Sequence, residues 1–185
     1  EHSICWTIKK SKECKKLFCS PGNAGIEKIA ECKFINLKKK LHIFNFCKKN
    51  SIDLVIIGPE EYLADGVSDY LQTKGIKTFG PIKKAAKLET SKSFAKSFLL
   101  KNKILTPKYR KFTTSNKALS YLNSLNFPVV IKADGLAAGK GVVICKNFSQ
   151  AEQTIKLMME KKKFGDAGKK IIIEEFIDGF EISYF

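Results

Sequence analysis

Two short apolar runs separated by a glycine-rich loop constrain this chain more than any other feature. Phe127-Pro128-Val129-Val130-Ile131-Lys132-Ala133 and Gly141-Val142-Val143-Ile144-Cys145 are rich in β-branched residues and too short for helices. Between them lies Asp134-Gly135-Leu136-Ala137-Ala138-Gly139-Lys140. Strand, loop of small residues and strand read together as a β-hairpin. The three glycines and two alanines of residues 135–141 leave backbone N–H groups open to a polyanion, and Lys140 adds a mobile positive charge there. That combination favours phosphate over a neutral ligand. It is not a Walker A loop: Gly135 to Gly139 is one residue short, and Gly141 stands where a Ser or Thr would follow the lysine. The tip is expected to close over a nucleotide's phosphates while Lys132, on the incoming strand, reaches them from beneath. A Gly-rich hairpin with no ligand is the alternative.

A third apolar run, Lys170-Ile171-Ile172-Ile173-Glu174-Glu175-Phe176, follows a helix expected over Gln150–Lys163. A strand that ends at a ligand and turns away offers backbone groups to an adenine edge, and a later carboxylate such as Glu181 suits ribose hydroxyls. For the glutamates at the strand end, the competing reading is a solvated terminus. Upstream, Ala85–Asn102 reads as one long helix with Lys92, Ser93 and Lys96 on its polar side, and Ser115–Leu125 as another helix.

The first ninety residues alternate α and β. A helix is expected over residues 1–11, a strand at Leu17-Phe18-Cys19, and an amphipathic helix over Lys38–Asn50 with Leu41, Phe44 and Cys47 inward. Ile52-Asp53-Leu54-Val55-Ile56-Ile57 suits a parallel strand covered on both faces, followed by a helix near Gly66–Lys74 and a strand from Thr78. This order argues for an open, doubly wound sheet, whose ligands bind beyond the carboxyl ends of the strands. The loops Pro21–Gly25 and Gly58–Glu61 both fall there, though turn chemistry alone accounts for their composition.

Composition narrows the function classes. Of 34 basic residues only Arg110 is an arginine, and the formal charge is +16. A reader of nucleic acid leans on the planar, bidentate guanidinium, so a lysine-only excess spread along the chain reads as compositional drift on solvated faces such as Lys38–Lys40 and Lys161–Lys163. No apolar run approaches the ~20 residues of a membrane span. The six cysteines form no C-x-x-C pair, and free thiols in a reducing compartment are expected rather than a disulfide scaffold. The sequence starts at Glu1 without a methionine and stops inside an apolar alternating run, and on that ground it is expected to be a fragment.

Several motifs then fall in one order: PGNAG at Pro21–Gly25, DLVIIGPE at Asp53–Glu60, FGP at Phe79–Pro81, LETSKSFAK around Lys92, KADGLAAGKGV at Lys132–Val142 and EEFIDGFEIS from Glu174. Together they resemble the phosphoribosylamine–glycine ligase (glycinamide ribonucleotide synthetase) family of the ATP-grasp superfamily, over essentially the whole chain. The resemblance implies an α/β protein: an N-terminal open parallel-sheet, Rossmann-like (pre-ATP-grasp) domain over residues 1–90, then the first part of an ATP-grasp α+β domain over 91–185, with a small subdomain at about 108–177. It implies a ligase of purine biosynthesis that phosphorylates glycine with ATP and Mg²⁺ (or Mn²⁺) and passes the glycyl group to 5-phosphoribosylamine. Another ATP-grasp carboxylate–amine ligase is the alternative.

Carried onto this sequence, the resemblance makes Lys92 and Lys132 the paired ATP lysines, with Lys132 and Lys140 catalytic. Gly135, Leu136, Ala137, Ala138, Gly139, Lys140 and Gly141 become the phosphate cover. Glu174, Glu175, Phe176 and Ile177 become the adenine-reading strand end, mostly through backbone groups, and Glu181 the ribose carboxylate. Asn23, Gly25, Pro59 and Glu60 fall on the phosphoribosylamine side. Departures are Ile26 where Thr is usual, Tyr62 where Pro is common, and Phe180 in place of an acid. The family's metal ligands and glycine site are expected beyond residue 185, so no metal residue is assigned. The resemblance further implies a cytoplasmic monomer without nucleic-acid or membrane partners. These 185 residues alone are expected to make no glycinamide ribonucleotide, and its detectable synthesis by them would refute that expectation.

Overall fold

A computed structural model describes residues 1–137 and 139–184. The chain divides into two compact units, Glu1–Ala86 and Lys87–Phe185. In the first, the elements are α1 (His2–Lys9), β1 (Phe18–Cys19), β2 (Glu31–Cys32), α2 (Lys40–Lys49), β3 (Leu54–Ile56), α3 (Glu60–Asp65), α4 (Val67–Thr73) and β4 (Lys77–Phe79). Strand pairing is parallel, in two ladders, β1 with β2 and β3 with β4. A helix, α5 (Lys83–Thr90), carries the chain across the boundary.

The first unit's core is Ile43 and Cys47 of α2 against Val67 and Leu71 of α4 and Ile76. Leu41, expected inward, is 55% exposed. At 100° per residue it lies about 160° round the helix from Ile43, so both cannot face the core. Leu54 and Ile56 are likewise exposed, contrary to the expectation of a strand covered on both faces. Only the Val55 side of β3 meets the core, beside Ile52 and Ile57. Ser68 is fully buried on α4, and its hydroxyl donates to Gly80 O and pairs with Thr78 Oγ1, which ties that helix to the end of β4.

The second unit contains α6 (Lys92–Lys101), β5 (Tyr109–Phe112), α7 (Ser115–Leu122), β6 (Val129–Ala133), β7 (Val142–Cys145), α8 (Phe148–Ile155) and β8 (Ile171–Glu175). Its sheet runs β5-β8-β6-β7 and every neighbouring pair is antiparallel. Strand β5 had no expectation in the sequence: Tyr-Arg-Lys-Phe is short and polar, and its apolar residue, Phe112, is buried opposite Ile171. The expected single helix over 85–102 is two. Ser91 between them is extended, at φ −139° and ψ 106°, and its hydroxyl accepts from Phe94 N as the N-cap of α6.

The sheet has two different faces because side chains alternate along a strand. Val129, Ile131 and Ala133 of β6 join Ile171 and Ile173 of β8, Phe112, and the inner sides of α7 and α8 in one core. Lys132, Ile172 and Glu174 are on the opposite face, with Tyr109, Val142 and Ile144 in register beside them. The chain's one arginine, Arg110, stacks on Tyr121 at 5.1 Å, on the core side. All six cysteines are free thiols, and no helix among the described residues is long and apolar enough to cross a membrane.

Ile131 is fully buried at the centre of this core. Ile131→Ala is expected to destabilise the second unit by about 3 kcal/mol through lost burial and a residual cavity. Urea unfolding followed by amide hydrogen exchange in β6 and β8 checks the value.

Candidate functional site

The open face of the second unit's sheet gathers charge from three elements. Glu174 is 3% exposed, and its Oε2 accepts from Lys132 Nζ at 2.9 Å and from Lys96 Nζ at 3.1 Å. Lys132 comes from β6, Lys96 from α6 and Glu174 from β8. A buried carboxylate must be paired, and here two ammonium groups share one oxygen. Glu174 Oε1 has no hydrogen-bond partner among the described residues. The solvated strand end that competed as a reading of Glu174 therefore fails.

Lys96 corrects a second expectation. It was assigned to the polar side of its helix, yet it is 7% exposed and also donates to Pro107 O at 3.2 Å. Its ammonium lies 5.6 Å from the Tyr109 ring centroid. Burial holds its pKa below the ordinary lysine value, with Glu174 pulling the other way.

One helical turn earlier, Lys92 faces the glycine loop. Its Nζ donates to Gly135 O at 3.1 Å, and its backbone N–H donates to Asp134 O at 3.0 Å. Burial also lowers the Lys92 pKa, opposed by Asp134 and reinforced by Lys132. Asp134 is itself buried, and its carboxylate accepts from Ser93 N at 2.6 Å and from the Ser91 hydroxyl. The start of α6 presents N–H groups without intrahelical partners; the Asp134 carboxylate takes that of Ser93, its carbonyl that of Lys92, and the Ser91 hydroxyl that of Phe94. Sequence reasoning gave Asp134 and Ser91 no role. The available signal was Ser91 itself, a favoured N-cap residue inside what read as one helix.

The loop follows the hairpin register, since β6 and β7 pair from Val129↔Cys145 to Lys132↔Val142. Two of its glycines serve close packing. A Cβ on Gly135 would lie 2.9 Å from Ala167 Cβ, and one on Gly141 would lie 2.6 Å from Ala137 Cβ. Gly139, at φ +75° and open to solvent, answers instead to backbone conformation. Among the described residues the N–H groups of Leu136 and Ala137 have no acceptor, while Lys140 N–H donates to Ala137 O. Lys140 is exposed at the tip, and Ala138 lies outside the described residues. Val142 and Ile144, 44% and 49% exposed, add apolar surface beside Lys132 that sequence reasoning passed over.

Past β8 the expected residues separate. Glu175 N–H donates to Lys108 O, and its Oε1 accepts from Lys108 N at 2.8 Å, so this side chain secures the entry to β5. Phe176, Ile177 and Glu181 are exposed. In the first unit, Asn23 Oδ1 accepts from the N–H groups of Gly25 and Ile26 at 3.0 and 3.1 Å, closing the turn after β1. Pro59 caps α3, and Glu60 stands exposed in its first turn rather than in a loop.

Comparison with known proteins matches this layout. The pattern of the "Phosphoribosylglycinamide synthetase, N domain" covers residues 1–89, and that of the "Phosphoribosylglycinamide synthetase, ATP-grasp (A) domain" covers residues 90–185. The chain belongs to the phosphoribosylglycinamide synthetase family. It is 46% identical over 183 residues to a phosphoribosylamine–glycine ligase of Clostridium acetobutylicum, covering 99% of this chain and 44% of that protein. With the ligase of the same name from Fusobacterium nucleatum it is 49% identical, covering 99% and 43%. The crystal structure of phosphoribosylamine–glycine ligase from Thermotoga maritima superimposes with a TM-score of 0.70 at 26% identity, over 97% of this chain and 42% of that one. The chain thus spans less than half the length of these relatives. In family terms, the lysine–glutamate cluster and the hairpin belong to the ATP-grasp domain, and the turns at Asn23 and Pro59 to the N domain.

Asp134→Ala is expected to leave the Ser93 N–H without its acceptor and to cost about 1–3 kcal/mol. Hydrogen exchange at residues 91–94 of α6 should accelerate, while the first unit is unaffected. Unchanged exchange at Ser93 would remove Asp134 from this role.

Proposed function

We propose that the chain forms the ATP-binding part of a ligase that joins glycine to 5-phosphoribosylamine in purine biosynthesis. One observation carries the reading: the N-domain and ATP-grasp patterns match in order along the whole chain, and the second contains lysines converging on one glycine hairpin. We take the domain boundary at residues 90/91, next to the 89/90 junction of the two family patterns; a small subdomain at about 108–177 and a cytoplasmic, monomeric setting are part of the proposal.

In this reading Lys92 and Lys132 hold the nucleotide phosphates. Lys140 and the open N–H groups of Leu136 and Ala137 cover them, with Gly135, Gly139 and Gly141 permitting that backbone path. Val142 and Ile144 give an apolar wall for a flat base, and the Phe176–Ile177 backbone its hydrogen-bonding edge. Glu174 and Glu175 act from behind, the first anchoring Lys132 and the second holding the strand end, while Glu181 is assigned to ribose. Asn23, Gly25, Pro59 and Glu60 are assigned to the phosphoribosyl side. Because the Asn23 oxygen is already bonded to its own turn, its amide N–H₂ is the group left for a ligand.

The chemistry is a phosphoryl transfer followed by an acyl transfer. A glycine carboxylate oxygen takes the γ-phosphoryl group of ATP, releasing ADP. The amine of phosphoribosylamine then attacks the carbonyl carbon, the C–O bond to phosphate breaks, and the amine loses a proton. Lysines neutralise charge on the moving phosphoryl group, and a closed glycine loop keeps water from the acyl phosphate. Among the described residues no three His, Cys, Asp or Glu side chains gather as a metal site, so no step is assigned to a cation here.

Isothermal titration with ADP tests the nucleotide half. Lys132→Met is expected to weaken binding by about tenfold or more, the value of a lost charge-assisted hydrogen bond to phosphate. Phosphate binding needs protonated lysines, and burial lowers the Lys92 pKa. ADP affinity is therefore expected to fall as pH rises toward the ordinary lysine value of about 10.4, earlier than for an unburied lysine. A pH-independent affinity over that range would count against Lys92 as a phosphate ligand. Saturable binding of glycinamide ribonucleotide distinguishes this ligase from another ATP-grasp carboxylate–amine ligase, which would bind ADP alone.

A further inference from the structure

We infer that Lys96 is a positioning residue for nucleotide binding, acting through Glu174 to leave the charge of Lys132 free for phosphate. The inference rests on the proposed ATP reading and extends it to a side chain that touches no ligand. Lys132 and Lys96 donate to the same oxygen, Glu174 Oε2, at 2.9 and 3.1 Å. Their exposures differ: the Lys96 side chain is 9% exposed and that of Lys132 is 26%. Lys132 therefore keeps the greater access to solvent, whereas Lys96, from α6, is covered where it meets the carboxylate.

The charge count explains the arrangement. Lys132 with Glu174 alone is a neutral pair, and an incoming phosphate would compete with a buried carboxylate for one ammonium group. Adding Lys96 gives the trio one positive charge in excess, at a site where burial weakens screening. Glu174 then has a permanent partner that never leaves, while Lys132 turns toward the ligand without stranding a buried anion. Lys96 is fixed for that role, because Pro107 O accepts from it at 3.2 Å and the Tyr109 ring lies 5.6 Å away. The spacing of Lys92 and Lys96 on α6 assigns one lysine to the hairpin and the next, one turn on, to the sheet.

A merely structural Lys96, pinning α6 to β8, makes a different prediction from a charge-balancing one. ADP affinity of the chain is measured by isothermal titration for the parent, Lys96→Met, Lys96→Gln, Lys96→Arg and Glu174→Gln, and for Lys96→Met combined with Glu174→Gln, with a thermal melt on each. Lys96→Met is expected to weaken ADP binding about tenfold, and Lys96→Arg, which keeps the charge, to recover most of that loss. Lys96→Gln keeps donors for Glu174 and Pro107 but loses the charge. It is expected to match Lys96→Met and carries the test if the methionine variant does not fold. In the Glu174→Gln background, adding Lys96→Met is expected to change affinity by no more than about twofold, because no carboxylate remains to compete. An equal loss in both backgrounds, or ADP affinity unchanged in Lys96→Met and Lys96→Gln, overturns the inference alone. Absence of ADP binding by the folded parent overturns the ATP reading itself and this inference with it.

Discussion

The buried carboxylate of Glu174 is the constraint on which the second unit's open face depends. It lies on β8, one of the two inner strands of the sheet, and removing it from water demands compensation. Two lysines from different elements supply that compensation, and in doing so they fix where α6 lies over the sheet and where Lys132 points. The opposite face needs no such device. There β-branched and aromatic side chains fill the space against α7 and α8, and the chain's one guanidinium is spent on stacking with a tyrosine.

The hairpin depends on a second polar anchor. Asp134 is the residue at which β6 stops being strand, and its carboxylate and carbonyl together take up the N–H groups that the start of α6 exposes. Hydrogen bonds therefore set helix and loop against each other. Beyond that anchor the loop's glycines divide their work. Gly135 and Gly141 let backbone and methyl groups approach closely, and Gly139 takes a conformation that a side chain would strain. Firm packing at the base of the loop leaves an open tip, which is what the proposed phosphate cover requires.

Legibility in the sequence followed the length of each signal. The hairpin, β8 and the alternation of the first unit were readable because their apolar runs are short, β-branched and bounded by turn residues. The motif order was readable because several separate strings fall in one sequence. Strand β5 was not, since Tyr109-Arg110-Lys111-Phe112 becomes a strand through pairing with β8, a contact between residues far apart in the chain. The break at Ser91 escaped for a similar reason: both flanks favour helix, and what stabilises the break is Asp134, more than forty residues away. Leu41 was misplaced because Ile43, about 160° away round α2, is the residue that turns to the core beside Cys47.

The amino-acid sequence by itself determined the family, the order of the elements and the lysines near the glycine loop, because these are properties of local pattern and motif. Only the tertiary structure decided that Lys96 is buried, that Glu174 is shared between two ammonium groups, and that Asp134 caps α6. Those facts depend on which side chains meet across the sheet, and a lysine on a helix reads the same whether it faces water or a buried carboxylate. Burial and pairing decide its chemistry, and both arise only when the strands and the helix come together.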